Sequence, residues 1–318
     1  MSDERTRAYA LLLAMPLFFS SNLIIGRAAV ESVEPWMLAF LRWIVAFAIL
    51  LPFAAQGLVR YRRTLLGNWE LIGIMGVLGM WICGAGVYFA LRFTTATNGT
   101  LIYTSSPVLI LLLEWLFRGR RIALREWIGI VLAITGVVAI VVKGSFAALL
   151  ALDLNAGDVV FALAAISWAI YSVLLKRQEL AEVPTVSLFA ALALAGAISL
   201  LPFSIWEYAE TGLFPDTLGA WGSIAGVALI ASVLAFTCFQ YGIKVVGPAT
   251  TGLFMYLLPP YGVMMAVLFL GEELHLFHIG GFVLIMTGLV LATAPKSIFA
   301  RVAERLRALA SKEGRTTR

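Results

Sequence analysis

Charge is scarce in this chain. Only 13% of its 318 residues are Asp, Glu, Lys or Arg, while 61% are hydrophobic. A soluble domain carries about 25% charged residues, and no soluble core could hide so much apolar surface. Lipid is therefore the expected solvent for most of the chain. Cysteine is rarer still. Cys83 and Cys238 lie inside apolar runs, with neither metal-ligand nor redox spacing, and read as small hydrophobes at helix contacts. The two histidines, His275 and His278, lack an accompanying carboxylate and do not form a zinc signature. No Walker sequence occurs, so no metal, nucleotide or other cofactor is expected. A metal set, paired aspartates or a serine with a base deep in the membrane are all missing, which argues against an intramembrane enzyme. The apolar runs are too continuous for a channel lining, and alternating strand patterns for a barrel are missing.

What the sequence has in abundance is long apolar runs. A helix crossing about 30 Å of hydrocarbon needs roughly 20 such residues, and its backbone must be satisfied within the segment. Ten runs qualify, near 8–30, 35–55, 69–91, 98–117, 124–142, 157–175, 184–206, 219–243, 248–270 and 276–294. The first exceeds a signal-peptide core and lacks an Ala-x-Ala site, so it reads as a retained span. The longest polar break, Lys143 to Gly157, falls midway. With both termini in the cytoplasm, 19 of the 23 Lys and Arg residues lie on the cytoplasmic side, as the positive-inside rule requires. The chain is thus expected to be an all-α integral protein of the bacterial inner membrane.

An internal repeat organises the spans. "LFRGRRIALREWIGIVLAITGVV" at Leu116 returns 152 residues later as "LFLGEELHLFHIGGFVLIMTGLV" at Leu268. The matches include Pro107/Pro259, Gly119/Gly271, Gly129/Gly281, Thr135/Thr287 and Gly136/Gly288, yet Arg120-Arg121 becomes Glu272-Glu273. A five-span unit is odd, so its second copy enters the membrane upside down. The basic loop of one copy then faces the cytoplasm and the acidic loop of the other faces out. The expected organisation is an inverted pair, residues 1–147 and 153–295, with a basic cytoplasmic tail at 296–318. In that tail Ile298, Val302, Leu306 and Leu309 form one stripe suited to an anionic leaflet. Inverted repeats around a midplane site are characteristic of transporters.

Four stretches resemble the EamA-type, ten-span branch of the drug/metabolite transporter superfamily. They are "FLRWIVAFAILLPF" from Phe40, "YFALRFTTATNGTLIYTSSPVLILLLEWLF" from Tyr88, "ALAAISWAIYSVLLKR" from Ala162, and "LFLGEELHLFHIGGFVLIMTGLVL". The chain departs from the family in carrying Phe19-Ser20 where Trp-Gly is usual, which alters the first-half side of the cavity. Its overall texture is most similar to YddG-type exporters of aromatic amino acids. The resemblance implies a secondary transporter working by alternating access on small amphipathic solutes. Other amino acids, nucleosides and drugs are alternative cargoes.

Helical phase nominates the path. Residues three or four apart share a face, which groups Trp81, Ala85 and Tyr88 on the third span with Val233, Thr237 and Gln240 on the eighth. The fourth span offers Gly99, Tyr103, Ser106 and Pro107; the first and sixth offer Phe19, Asn22, Trp168 and Tyr171. Deep aromatic rings with sparse polar groups suit a small organic molecule. The candidate substrate contacts are Phe19, Asn22, Trp81, Tyr88, Tyr103, Trp168, Tyr171 and Gln240. Asn22 and Gln240 also read as interhelical glue, and Trp36, Trp69 and Trp127 as interfacial anchors. Pro107 and Pro259 are expected to kink two equivalent spans. Arg42, which the resemblance makes the family's intramembrane arginine, either binds a substrate carboxylate or has a structural role, bonding to helix-end carbonyls or snorkelling outward, the structural role being favoured. Glu114 is expected to pair with Arg118 at i+4. Gly73, Gly76 and Gly79 have close-packing spacing. The expected partners are a small-molecule solute and membrane lipid; nucleic acid is not expected, and one chain suffices as a monomer.

Overall fold

The structure, a computed structural model, describes residues 3–30, 33–90, 92–94, 96–119, 121–145, 147, 155–270 and 273–293. Arg120, Gly271, Glu272 and the basic tail lie outside the described residues. Among those residues every regular element is helical. In chain order the main helices are α1 (Asp3–Val30), α2 (Pro35–Arg60), α3 (Trp69–Ala90), α4 (Ala96–Tyr103), α5 (Ser106–Arg118) and α6 (Leu124–Val141). They continue with α7 (Ala156–Leu174), α8 (Thr185–Thr211), α9 (Leu218–Val246), α10 (Pro248–Phe269) and α11 (Leu276–Thr293).

Eight of these are long and apolar enough to cross a membrane: α2, α3 and α6 to α11. Large apolar side chains such as Phe53, Phe117, Leu268 and Phe269 face outward, each at least 67% exposed. The protein is a multi-pass membrane protein. The expected fourth span is not one helix. It breaks at Thr104–Ser105 into α4 and α5, neither of which reaches 18 residues.

Local chemistry sets the helix ends. Gly119 adopts a left-handed conformation (φ 63°) and donates its N–H to Trp115 O, closing α5. Asn155 caps α7, its side chain accepting from the Gly157 and Asp158 amides while the Asp158 carboxylate accepts from the Asn155 amide at 3.0 Å.

Two features were not visible in the hydropathy pattern. First, α3 and α9 each contain a π-helical stretch, Val77–Gly86 and Val227–Leu234. These begin 150 residues apart. Second, the helices pair across the middle of the chain. The most extensive contacts join α6 to α11 and α2 to α8; α1 packs on α9 and α10, while α7 packs on α3 and on α4–α5. Exchanging the two halves in chain order leaves this list of helix pairs unchanged.

The α6–α11 crossing shows how the sequence repeat becomes packing. Gly129 faces Gly288, and Gly136 faces Gly281. A Cβ on Gly129 would stand 2.5 Å from the Gly288 carbonyl oxygen, and one on Gly136 would stand 2.5 Å from the Gly281 carbonyl oxygen. With no hydrophobic drive between helices in lipid, such close backbone approach is what binds them. Gly76 likewise meets Ala195 and Gly196 on α8, and Gly79 meets the Tyr171 ring. Gly73, expected in the same contact, has no neighbour within 4 Å of a built Cβ.

Candidate functional site

One end of the bundle gathers the basic residues Arg118, Lys176, Arg177 and Lys244, at the ends of α5, α7 and α9. At the opposite end Arg92 meets Glu34 at 3.4 Å, and Thr94 bonds to Asp158. A cavity of about 620 Å³ reaches inward from this opposite end, from exposed Lys143 and half-buried His278 at its rim down to Trp168. Its wall is drawn from α1 to α7 and from α9 to α11. Both halves of the chain therefore build it, and the size suits a small organic molecule.

Arg42 sits in this wall with 6% of its surface exposed. Its Nε donates to Ser232 Oγ at 2.5 Å and its Nη2 to the Ala231 carbonyl at 3.2 Å, both on α9. Nη1 reaches the Tyr88 hydroxyl at 3.3 Å, and the guanidinium carbon stands 4.9 Å from the Trp43 ring centroid. The π stretch of α9 supplies both the Ser232 and the Ala231 acceptors, so the irregular helix positions them for the guanidinium. Tyr88 in turn donates to Asn22 Oδ1 at 3.0 Å. Arg42 thus bonds to a carbonyl, as the favoured reading expected, though to one in the middle of α9 rather than at a helix end, and the bond ties the first half to the second. It also stands in the cavity wall.

The floor is aromatic. Phe19 packs edge-on to Phe236 at 5.2 Å and to Trp168 at 6.0 Å; Trp168 lies 4.7 Å from Phe239. The indole N–H of Trp168 points to Met255 Sδ at 2.9 Å. Ser20, beside Phe19, donates to the Leu258 carbonyl at 3.0 Å, bonding α1 to α10. Beneath the rings Gln240 Nε2 donates to the Tyr171 hydroxyl at 3.0 Å, with Tyr171 fully buried. Below this pair a second cavity of about 620 Å³ opens among the basic residues, and Gln240 is part of its wall.

Of the residues nominated from sequence, Phe19, Asn22, Tyr103, Trp168, Pro107, Pro259 and Arg42 line the upper cavity. Tyr88 does not, but it holds Asn22 and Arg42 in place. Tyr171 and Gln240 are placed between the two cavities rather than in the upper one. Trp81 is misassigned. It packs 5.5 Å from Trp36 and 5.2 Å from Phe203, away from the cavity. The opposite choice of face holds: α3 presents Gly79, Cys83, Gly84 and Val87 to the cavity instead.

Pro107 also differs from expectation. Pro107 lies in the first turn of α5, and Pro259 is the second residue of the α-helical part of α10 that follows the 3₁₀ turn Phe254–Leu257. Pro107 therefore starts a helix, where a missing N–H costs little, while Pro259 stands where the 3₁₀ turn passes into α-helix within α10. Trp43, Cys83, Phe236 and Tyr256 line the cavity and were not nominated. Their neighbours Arg42 and Trp168 were the only pointers to them in the sequence.

Comparison with known proteins agrees with this architecture. The profile of the EamA-like transporter family matches twice, over residues 6–142 and 155–294. The uncharacterized transporter YyaM of Bacillus subtilis (strain 168) is 27% identical over 289 residues, covering 90% of this chain and 93% of that one. The uncharacterized inner membrane transporter YedA of Escherichia coli (strain K12) is 26% identical over 305 residues, covering 92% of each. A solved crystal structure superposes with a TM-score of 0.71 over 90% of this chain and 97% of its own, at 21% identity, a likeness that speaks for the fold alone. Two matches to one profile, on the two halves that jointly wall the cavity, place this chain in the EamA-like transporter family.

Proposed function

We propose that the protein is a ten-span secondary transporter of the inner membrane that exports small amphipathic metabolites, aromatic amino acids first among them. Its two five-helix halves are inverted repeats that rock about the cavity between them. The observation that carries this reading is a cavity walled by both halves, closed toward the basic end by the Phe19–Trp168–Phe236 cluster and the Tyr171–Gln240 bond. A second cavity lies beyond that floor. Rocking that opens the floor and closes the upper mouth would join the solute's position to each cavity in turn.

Three things support the inversion: the exchange-symmetric helix pairing, the paired π stretches, and the reciprocal glycine contacts at α6–α11. The positive-inside bias puts the basic end and both termini in the cytoplasm. The closed floor in this structure then corresponds to an outward-facing state. A single chain holds the whole cavity, so a monomer suffices.

Efflux from proteoliposomes preloaded with tryptophan or phenylalanine tests the proposal. Protein-containing vesicles should empty at least several-fold faster than empty ones, and Trp168→Ala should slow them. Equal efflux from both kinds of vesicle for every aromatic amino acid would leave the substrate reading without support.

A further inference from the structure

Both cavities carry cations and neither carries an acid. Among the described residues lining the upper cavity are Arg42, Lys143 and His278, and no aspartate or glutamate. The lower cavity is lined by Arg118, Lys176, Arg177 and Lys244, again with no carboxylate in its wall. Two of these four are compensated nearby: Glu114 stands 3.9 Å from Arg118, and Glu179 stands 2.8 Å from Arg177. Lys176 and Lys244 bond only to backbone carbonyls, Lys176 to Lys244 O at 2.7 Å and Lys244 to Val183 O at 3.4 Å. Burial, Arg118 and Lys244 together hold the Lys176 ammonium below its ordinary pKa, against the opposing pull of Glu114. An arriving anion would relieve that repulsion.

Arg42 shows the same imbalance in a drier setting. Its three bonds go to Ser232, Ala231 and Tyr88, all uncharged partners, and they use three of the five guanidinium N–H donors. Buried charges are ordinarily paired, and an intramembrane arginine without an acid is costly. Three wall residues add unpartnered groups that can donate: the Trp43 indole Nε1 and the Ser106 and Tyr256 hydroxyls are buried with no hydrogen-bond partner in the protein. Among the described residues the wall thus holds a guanidinium, unpartnered donors and neutral polar groups on an apolar surface, with no carboxylate to neutralise an ammonium.

We infer that the transported solute is an organic anion, an apolar body bearing a carboxylate, which the basic lower cavity collects and the Arg42 guanidinium receives. This rests on the transport reading above and narrows its substrate class. The carboxylate of an aromatic amino acid is recognised; its ammonium is not. The deaminated acid should bind at least as well.

Four probes sharing one phenyl ring separate the possibilities in binding titrations on the purified, full-length protein: 3-phenylpropionate, phenylalanine, 3-phenylpropanol and phenethylamine. The carboxylate should bind at least ten-fold more tightly than the alcohol, phenylalanine should bind no more tightly than the carboxylate, and the amine should bind weakest. Arg42→Gln should weaken the carboxylate by ten-fold or more and leave the alcohol within two-fold, which a purely structural role for Arg42 would not produce. The wild-type order stands as a test even if that variant fails to fold. An amine that binds as tightly as the carboxylate overturns the inference, as does a variant that weakens all probes equally. Phenylalanine efflux without 3-phenylpropionate binding overturns this inference alone. Neither binding of any probe nor efflux of any aromatic amino acid overturns the transport reading with it.

Discussion

The Gln240 amide donates to the Tyr171 hydroxyl at 3.0 Å across the gap between α9 and α7, and this bond lies between the two cavities. Gln240 Oε1 has no partner of its own. The amide is therefore half-satisfied in the floor, and its remaining bond joins α7 to α9 within the second half, so opening the floor at this point requires these two helices to part. Tyr171→Phe removes the hydroxyl and strands the Gln240 amide, at a cost of about 1–3 kcal/mol to the closed floor. Native Cys83, in the upper cavity wall, reports the result once Cys238 is changed to serine. A membrane-impermeant maleimide supplied from the basic side should label Cys83 faster in Tyr171→Phe than in the parent. Equal rates would show that the bond does not hold the floor shut.

The α6–α11 crossing predicts a graded stability series. A methyl at Gly129 or Gly136 meets backbone oxygen at 2.5 Å, with no flexible side chain to yield. Gly129→Ala and Gly136→Ala should each destabilise by about 1–3 kcal/mol, the usual range for overpacking. Gly73→Ala, in open space, should be neutral or slightly stabilising because alanine is the better helix former. Thermal unfolding in detergent distinguishes them. Equal melting temperatures for all three would refute the close crossing.

These comparisons show what the sequence could and could not reveal. The glycine pairs were legible because a residue needed for close backbone approach recurs at a fixed offset in both halves. Phe19, Asn22, Arg42 and Trp168 were legible because polar or aromatic groups stand out within apolar runs. Trp81 was misread because three residues that share a helical face do not say which face turns inward, and α3 turns Gly79, Cys83, Gly84 and Val87 to the cavity. Pro107 was placed correctly along the chain but given the wrong consequence, since a proline in an apolar run looks the same whether it bends a helix or starts one. The split of Tyr171 and Gln240 from the upper cavity depends on side-chain pairing between α7 and α9, which no single-helix pattern encodes.

Arg42 supplies a stability prediction separable from its role in binding. Ser232 accepts from the Arg42 Nε and itself donates to the Val227 carbonyl at 3.1 Å. Ser232→Ala leaves the guanidinium in place with one fewer partner. The lost charged hydrogen bond should cost about 1.5–3 kcal/mol, lowering the melting temperature while retaining the preference for the carboxylate probe over the alcohol. Loss of that preference in Ser232→Ala would mean that the guanidinium is positioned chiefly from α9.

Lys176 gives the pH dependence its sign. It stands just beyond the end of α7, and burial, followed by the like charges of Arg118 and Lys244, lowers its pKa below the ordinary 10.5. As pH rises through the lowered value, the folded protein loses this proton before the unfolded chain does. The unfolded state then binds more protons, so stability rises with pH across the window between the lowered value and 10.5. Below that window the charged ammonium is a standing cost. Lys176→Gln should raise the melting temperature at pH 7 and flatten its alkaline rise. The gain should be modest, because the side chain is partly exposed and solvent screens its neighbours. Melting curves of parent and variant from pH 7 to about 10 decide the point, since parallel curves would mean that repulsion at the basic mouth does not reach Lys176.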